Sequence, residues 1–200
     1  MNKTECIIAD HQKEHSLNNA SDNTIMLQVQ SGRTELLGVL YERYKKWLYN
    51  FFYKMNYDAD LSEDLVQNVF ERILKYKHTY TGESKFVTWI FQIARNENHD
   101  HYRKNLKQMN DVSLDEVSYF LADQENAEET IERKEEVHRL RSAIDSLPYK
   151  KKEIITLSKL KDLRYKEIGE IMGCSEANAR IQAHRALQEL KATFQNIQHT

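Results

Sequence analysis

The chain has 200 residues, of which 40% are hydrophobic, 30% charged, five glycine and one proline. So few turn residues exclude a β-sandwich or barrel and suit one or two helical domains. No run approaches the roughly eighteen apolar residues of a membrane span, and the polar stretch Met1 to Ala20 has no leader-like core, so a cytoplasmic location is expected. Cys6 and Cys174 offer neither a disulfide framework nor a zinc pattern. The formal net charge of −2 is unevenly spread. Residues 111–136 hold ten acids and two bases, Val137 onward twelve bases and seven acids, and residues 1–110 fifteen bases and fourteen acids.

In chain order, residues 1–20 read as a flexible extension. Leu36, Leu37, Leu40, Tyr41, Tyr44, Trp47, Leu48 and Phe51 follow a three–four rhythm that predicts one long helix. Leu65, Val66, Val69, Phe70, Ile73 and Leu74 form a second stripe, with Ser62 as its expected N-cap and Glu63 and Asp64 in its first turn. Gly82 breaks the pattern, and Phe86, Trp89, Ile90 and Ile93 restart it on a helix toward Arg103. Three such stripes predict a helical bundle over residues 21–109. Residues 110–130 are acidic and lack apolar periodicity, which predicts a flexible linker; the alternative is an acidic strip that mimics nucleic acid and masks a basic surface. Residues 131–197 then read as four helices: Ile131 to Ser146, Lys150 to Leu160, Tyr165 to Met172 and Ser175 to Phe194.

The last two carry the most specific signal. Gly173 suits the left-handed end of the shorter helix, and Ser175 can cap the longer one, with Glu176 at its positive end. Helix, tight glycine turn and capped helix predict a helix-turn-helix. Projected at about 100° per residue, Ala179, Ala183, Ala186, Leu187 and Leu190 share the inner side. Ala177, Asn178, Ile181, His184, Arg185 and Gln188 share the outer side, with Arg180 at its flank. Amide, guanidinium, imidazole and an exposed aliphatic group suit a groove reader: Arg180 and Arg185 for phosphate or guanine, Asn178 for adenine, Ile181 for a thymine methyl. An ordinary solvated face has the same composition.

Four blocks in this order resemble the sigma-70 family of RNA polymerase sigma factors, specifically its extracytoplasmic-function (ECF) group. LYERYKKWLYNFF, LSEDLVQNVFERIL and SKFVTWIFQIARNENHDHYRKN resemble the second conserved region; AIDSLPYKKKEIITLSKL with YKEIGEIMG and SEANARIQAHRAL resembles the fourth. The resemblance implies an all-α protein of two helical domains, an N-terminal bundle and a C-terminal helix-turn-helix domain, joined by the acidic linker. It implies a factor that binds core RNA polymerase at the largest-subunit coiled coil and the flap, recognises the −35 and −10 promoter elements and promotes DNA melting. An anti-sigma factor is a further implied partner. Glu63, Asp64, Gln67, Asn68 and Glu71 take the place of the polymerase-docking surface, although Asn68 replaces the glutamate usual there. Asn96 takes the place of the residue lining a pocket for a flipped base of the −10 element, with Tyr80 and Asp100 shaping it and Arg95, Arg103 and Lys104 contacting phosphate. Ser175, Ala177, Asn178, Arg180, Ile181, His184 and Arg185 fall on the −35 reader. Arg164 stands where the family usually has a Ser or Thr cap, leaving Asp162 or no cap for that helix.

A helix-turn-helix regulator with an N-terminal sensor domain is the alternative reading, and it leaves the N-terminal blocks unexplained. The common catalytic and nucleotide-binding motifs are missing, so neither an enzyme nor a small-molecule substrate is expected. No cofactor or metal is expected either, since His11 and His15 near Cys6 lack a fourth ligand.

Overall fold

The apolar stripes fold as helices whose buried faces meet in one core. The computed structural model describes residues 20–111, 131–160 and 163–197, and every regular element among them is helical. The helices are α1 (Asp22–Gln30), α2 (Leu37–Asn56), α3 (Ala59–Tyr76), α4 (Phe86–Asp111), α5 (Ile131–Asp145), α6 (Tyr149–Ser158), α7 (Tyr165–Met172) and α8 (Glu176–Ile197). The expected extension and acidic linker lie outside the described residues, save for their first or last residues.

The N-terminal domain is α1–α4. Leu40, Leu48, Phe51, Phe52, Val69, Ile73, Ile90 and Phe91 have no exposed surface, so α2, α3 and α4 each commit one stripe to the bundle centre. Edge-to-face rings lock it, Phe51 on Phe91 at 5.9 Å and Tyr44 on Phe86 at 5.2 Å. Sequence periodicity overlooked α1. Its Ser21 cap receives the Thr24 N–H, and Ile25, Met26 and Val29 are fully buried. Asp22 ties α1 to α2, accepting from Arg43 at 2.5 Å and from the Tyr44 hydroxyl at 2.6 Å. Met26→Ala is therefore expected to destabilise the bundle by about 2–5 kcal/mol; a denaturant midpoint equal to wild type would show α1 to be dispensable.

Two expectations are corrected. The α3 cap is Asp58, whose carboxylate accepts the Leu61 N–H at 2.9 Å. Ser62 is buried inside the helix, its hydroxyl donating to the Asp58 carbonyl, so Glu63 and Asp64 lie beyond the first turn. Leu74 is 44% exposed, because the buried stripe ends at Ile73.

In the C-terminal domain, α8 packs across α5, α6 and α7. The small residues Ala179, Ala183 and Ala186 are fully buried and let the helix axes approach closely. Arg164 is the N-cap of α7, but an arginine side chain has no acceptor, so only half of a capping box forms: the Glu167 carboxylate accepts the Arg164 N–H at 3.1 Å. The other expected cap, Asp162, lies outside the described residues. The two domains touch, α4 against α7 and α2 against α6. Tyr57 closes α2 in the left-handed conformation, and the Lys152 and Arg141 cations lie 4.6 and 5.0 Å from its ring centre.

Candidate nucleic-acid interface

The turn between α7 and α8 follows from two glycines. Gly173 adopts φ 69°, and the Cys174 N–H returns to the Gly169 carbonyl at 2.8 Å, a Schellman-type closure. Gly169 was not singled out by the sequence reading, yet a Cβ there would stand 2.7 Å from the Cys174 carbonyl oxygen. Ser175 then caps α8, accepting the Asn178 N–H at 3.2 Å. Beyond it Ala177, Asn178, Arg180, Ile181, His184 and Arg185 are all exposed, and Ile181 shows 50% of its surface to solvent. The outer face is lightly held. Asn178 accepts from Gln182 at 3.1 Å, and Arg180 meets Glu176 at 3.0 Å with its guanidinium 5.5 Å from the Tyr165 ring. Exposed pairs of this kind contribute under about 1 kcal/mol, so a phosphate can displace them.

On α3, Glu63, Asp64, Gln67, Asn68 and Glu71 are all exposed on the side away from the buried stripe. They form one continuous polar face at i, i+3, i+4 spacing, suited to a partner rather than to packing. Tyr41, Lys45 and Tyr49 of α2 border the same face across a shallow groove with Glu63 and Gln67.

Helix α4 separates the residues expected around the flipped base. Asn96, Asp100 and Arg103 lie on one stripe, Asn96 exposed, and Lys104 is exposed beside them. Asp100 is held by Arg103 at 3.2 Å and by Arg72 of α3 at 3.5 Å; Arg72 also pairs with the mostly buried Glu97. Arg72 and Glu97 were not legible in the sequence, because an arginine between Glu71 and the buried Ile73 and a glutamate beside Asn96 carry no signal of their own. Arg95 lies on a different stripe, facing the C-terminal domain, where its Nε donates to Glu153 of α6 at 3.0 Å. Tyr80 is only 1% exposed, packed against Trp89 at 5.1 Å and Phe86 at 6.1 Å, with its hydroxyl donating to the Ser84 carbonyl. Burial pushes that phenol up to about 12. Trp89 is seven residues, about 10 Å along the axis, before Asn96, so the Tyr80 ring supports the start of α4 rather than lying beside Asn96. Trp89 is part of this core packing, as expected, and Phe91 is fully buried.

Four further polar contacts join the domains along α4 and α2. Lys85 Nζ meets Glu167 at 2.6 Å, Gln92 donates to the Glu170 carbonyl at 3.0 Å, Asn98 donates to the Tyr149 hydroxyl at 2.8 Å, and Arg141 donates to the Tyr53 hydroxyl at 3.3 Å. The Tyr102 and Tyr149 rings lie 4.6 Å apart. Burial pushes the Glu153 carboxyl above its ordinary range, against the pull of Arg95. Burial acts in the same sense on Glu167, but the Lys85 ammonium and backbone N–H groups outweigh it and hold that carboxyl low. None of these contacts was legible in the sequence, since each hydrogen bond and ion pair joins residues more than fifty positions apart, and the Tyr102–Tyr149 ring pair nearly as many.

Residues 40–108 match the family model for sigma-70 region 2, and residues 138–190 the model for sigma-70 region 4. The ECF RNA polymerase sigma factor SigM of Bacillus subtilis is 37% identical over 78% of this chain and 93% of its own length. Among solved structures, a chain in the structure of CnrH with the cytosolic domain of CnrY has a TM-score of 0.67 at 20% identity, covering 88% of this chain and 99% of that one. A chain in the co-crystal structure of sigma factor RpoE with anti-sigma factor NepR from Bartonella quintana has a TM-score of 0.60 at 20% identity, covering 80% and 96%. At that identity the two structures speak for a shared fold.

Proposed function

The chain belongs to the sigma-70 family of RNA polymerase sigma factors, in its ECF group, and from that membership we propose that it loads core polymerase onto specific promoters and helps to open them. The observation that carries this reading is the order of the two matches. A region 2 domain with a free polar face on α3 precedes a helix-turn-helix with a free reading face on α8. A regulator with a sensor domain would need the second match alone.

In this reading residues 21–109 bind core polymerase and the −10 element, 110–130 tether, and 131–197 bind the −35 element. The α3 face, Glu63, Asp64, Gln67, Asn68 and Glu71, docks on the polymerase. The α8 face, from Ser175 to Arg185, enters the major groove, where Arg180 and Arg185 meet phosphate or guanine and Asn178 and Ile181 meet base edges. Asn96 receives an unstacked base beside Asp100, while Arg103 and Lys104 track the freed strand. The polymerase performs the chemistry, so the chain itself needs no catalytic group. An anti-sigma factor, such as the one bound to RpoE in the Bartonella structure, is the expected inhibitor. No helix of the described residues is long and apolar enough to cross a membrane.

The test is transcription in vitro with purified core polymerase and genomic promoter fragments. Discrete transcripts that require the chain are expected, and failure to associate with core polymerase would remove the reading. Arg180→Ala is expected to weaken −35 binding and to flatten the log–log salt dependence by about one unit. A slope equal to wild type would take Arg180 out of the phosphate contacts.

A further inference from the structure

Two cations at and near the start of α4 are held by two carboxylates of the other domain. Lys85 meets Glu167 at 2.6 Å and Arg95 meets Glu153 at 3.0 Å. Both acids are withdrawn from solvent, Glu153 with 1% and Glu167 with 5% of the side chain exposed. Burying a carboxylate costs several kcal/mol unless a cation offsets it. The cation paired with each acid comes from the N-terminal domain, while within its own domain Glu167 also accepts the Arg164 N–H and Glu153 feels Lys150. Glu153 is the more dependent, since its Oε2 is buried without any hydrogen-bond partner. The cations are less dependent: Arg95 and Lys85 keep 27% and 66% of their side chains in water. They can exchange one anion for another.

The promoter makes that exchange necessary. The −35 and −10 elements are named for positions about 25 base pairs apart, which is about 85 Å along B-form DNA. With α7 seated on α4, α8 cannot lie in one element while Asn96 reaches the other. The interdomain contacts must break, and Lys85 and Arg95 are then bare on the segment that carries Asn96. They stand about 15 Å apart along the helix, which matches about four nucleotides of a B-form strand.

We infer that Lys85 joins Arg95, which the family resemblance already implies contacts phosphate, as a second phosphate-binding cation for the single strand at the melted −10 element, and that Glu167 and Glu153 occupy this pair as stand-ins for phosphate until the C-terminal domain departs. The inference rests on the proposed function for the identity of the strand.

The experiment uses the full chain without polymerase and a fluorescein-labelled 20-nucleotide single strand of mixed sequence, read by fluorescence anisotropy. Gln at 153 and 167 removes both charges, and at 167 it keeps an oxygen for the Arg164 N–H. The Glu153→Gln/Glu167→Gln variant is expected to bind at least about tenfold tighter than wild type, because the competent open form is no longer a minor fraction. Its salt dependence should steepen by about 1.4 in log–log slope, the value for two added phosphate contacts on a single strand. Adding Lys85→Gln and Arg95→Gln should abolish both gains. An unchanged affinity, with the domains together or apart in small-angle scattering, overturns the inference, as does a gain that survives loss of the two cations. Should the glutamine variant not fold, Lys85→Gln/Arg95→Gln alone decides with core polymerase. Slower promoter opening supports the pair, and an unaltered rate overturns it. Transcription by wild-type chain with core polymerase reports separately on the proposed function.

Discussion

Asn96→Ala is expected to leave polymerase loading and −35 binding near wild type while reducing promoter opening by about ten- to a hundredfold. Extruding a base costs a few kcal/mol, and an amide positioned on a base edge returns about 1–3 kcal/mol, which is the size of the predicted loss. The surroundings make the substitution clean. Asn96 is exposed on α4 and takes part in no side-chain hydrogen bond among the described residues, so its removal leaves no orphaned partner. Alanine is also the better helix former. Permanganate reactivity of thymines at the −10 element measures opening, and a gel shift with core polymerase measures the closed complex. If both were reduced in parallel, or the permanganate pattern were unaltered, Asn96 would not be the base-capturing residue.

Asn98 provides the contrast, two positions along the same helix. It is fully buried, accepting from Asn56 at 2.7 Å and donating to Tyr149 at 2.8 Å. Asn98→Ala is thus expected to loosen the domain contact, with no selective effect on opening. Spacing alone shows why the residues differ: two positions turn the helix by about 200°, so adjacent asparagines of the same motif face opposite ways.

The long stripes of α2, α3 and α4 were legible because each repeats over three or more turns, and the helix-turn-helix because glycine and serine mark its corner. α1 was not, since three buried residues in nine cannot establish a period. Sequence alone points to Ser62 as the α3 cap because both Asp58 and Ser62 are competent caps, and only the burial of Ser62 inside the bundle decides between them. The exposed polar face of α3 was legible as a set, for its residues occupy what the stripe leaves over. The surroundings of Asn96 were legible only in part. Arg95 and Asn96 are neighbours in sequence, but a helix turns by about 100° per residue and sends one toward the C-terminal domain and the other to solvent. The acidic strip that could mask a basic surface, residues 110–130, lies outside the described residues from 112 on. The carboxylates seen on Lys85, just before α4, and on Arg95 within it come instead from α7 and α6, at positions that in sequence look like ordinary helix charges.

The second large effect is expected at Gly169. Replacing an interior helix glycine with alanine ordinarily stabilises by about 1 kcal/mol, because alanine restricts the unfolded chain. Gly38, in the first turn of α2, should behave so, for a Cβ there meets nothing within 4 Å. At Gly169 the new methyl would stand 2.7 Å from the Cys174 carbonyl oxygen and 3.2 Å from the Glu176 nitrogen and the Ser175 carbonyl carbon. All three are backbone atoms of the turn, so no side chain can rotate away. Relief requires the turn to open, which breaks the 2.8 Å hydrogen bond from Cys174 to the Gly169 carbonyl and tilts α8 away from α7. Overpacking of this kind costs about 1–3 kcal/mol, and for a chain of this length that lowers the melting temperature by about 5 °C. Gly169→Ala is expected to melt lower and to lose −35 binding, while Gly38→Ala melts slightly higher and binds as wild type. A Gly169→Ala protein as stable as Gly38→Ala would mean that the α7–α8 approach is looser than the structure has it. Helix α8 would then owe its angle to Ala179, Ala183 and Ala186, which allow the close crossing, rather than to the glycine turn.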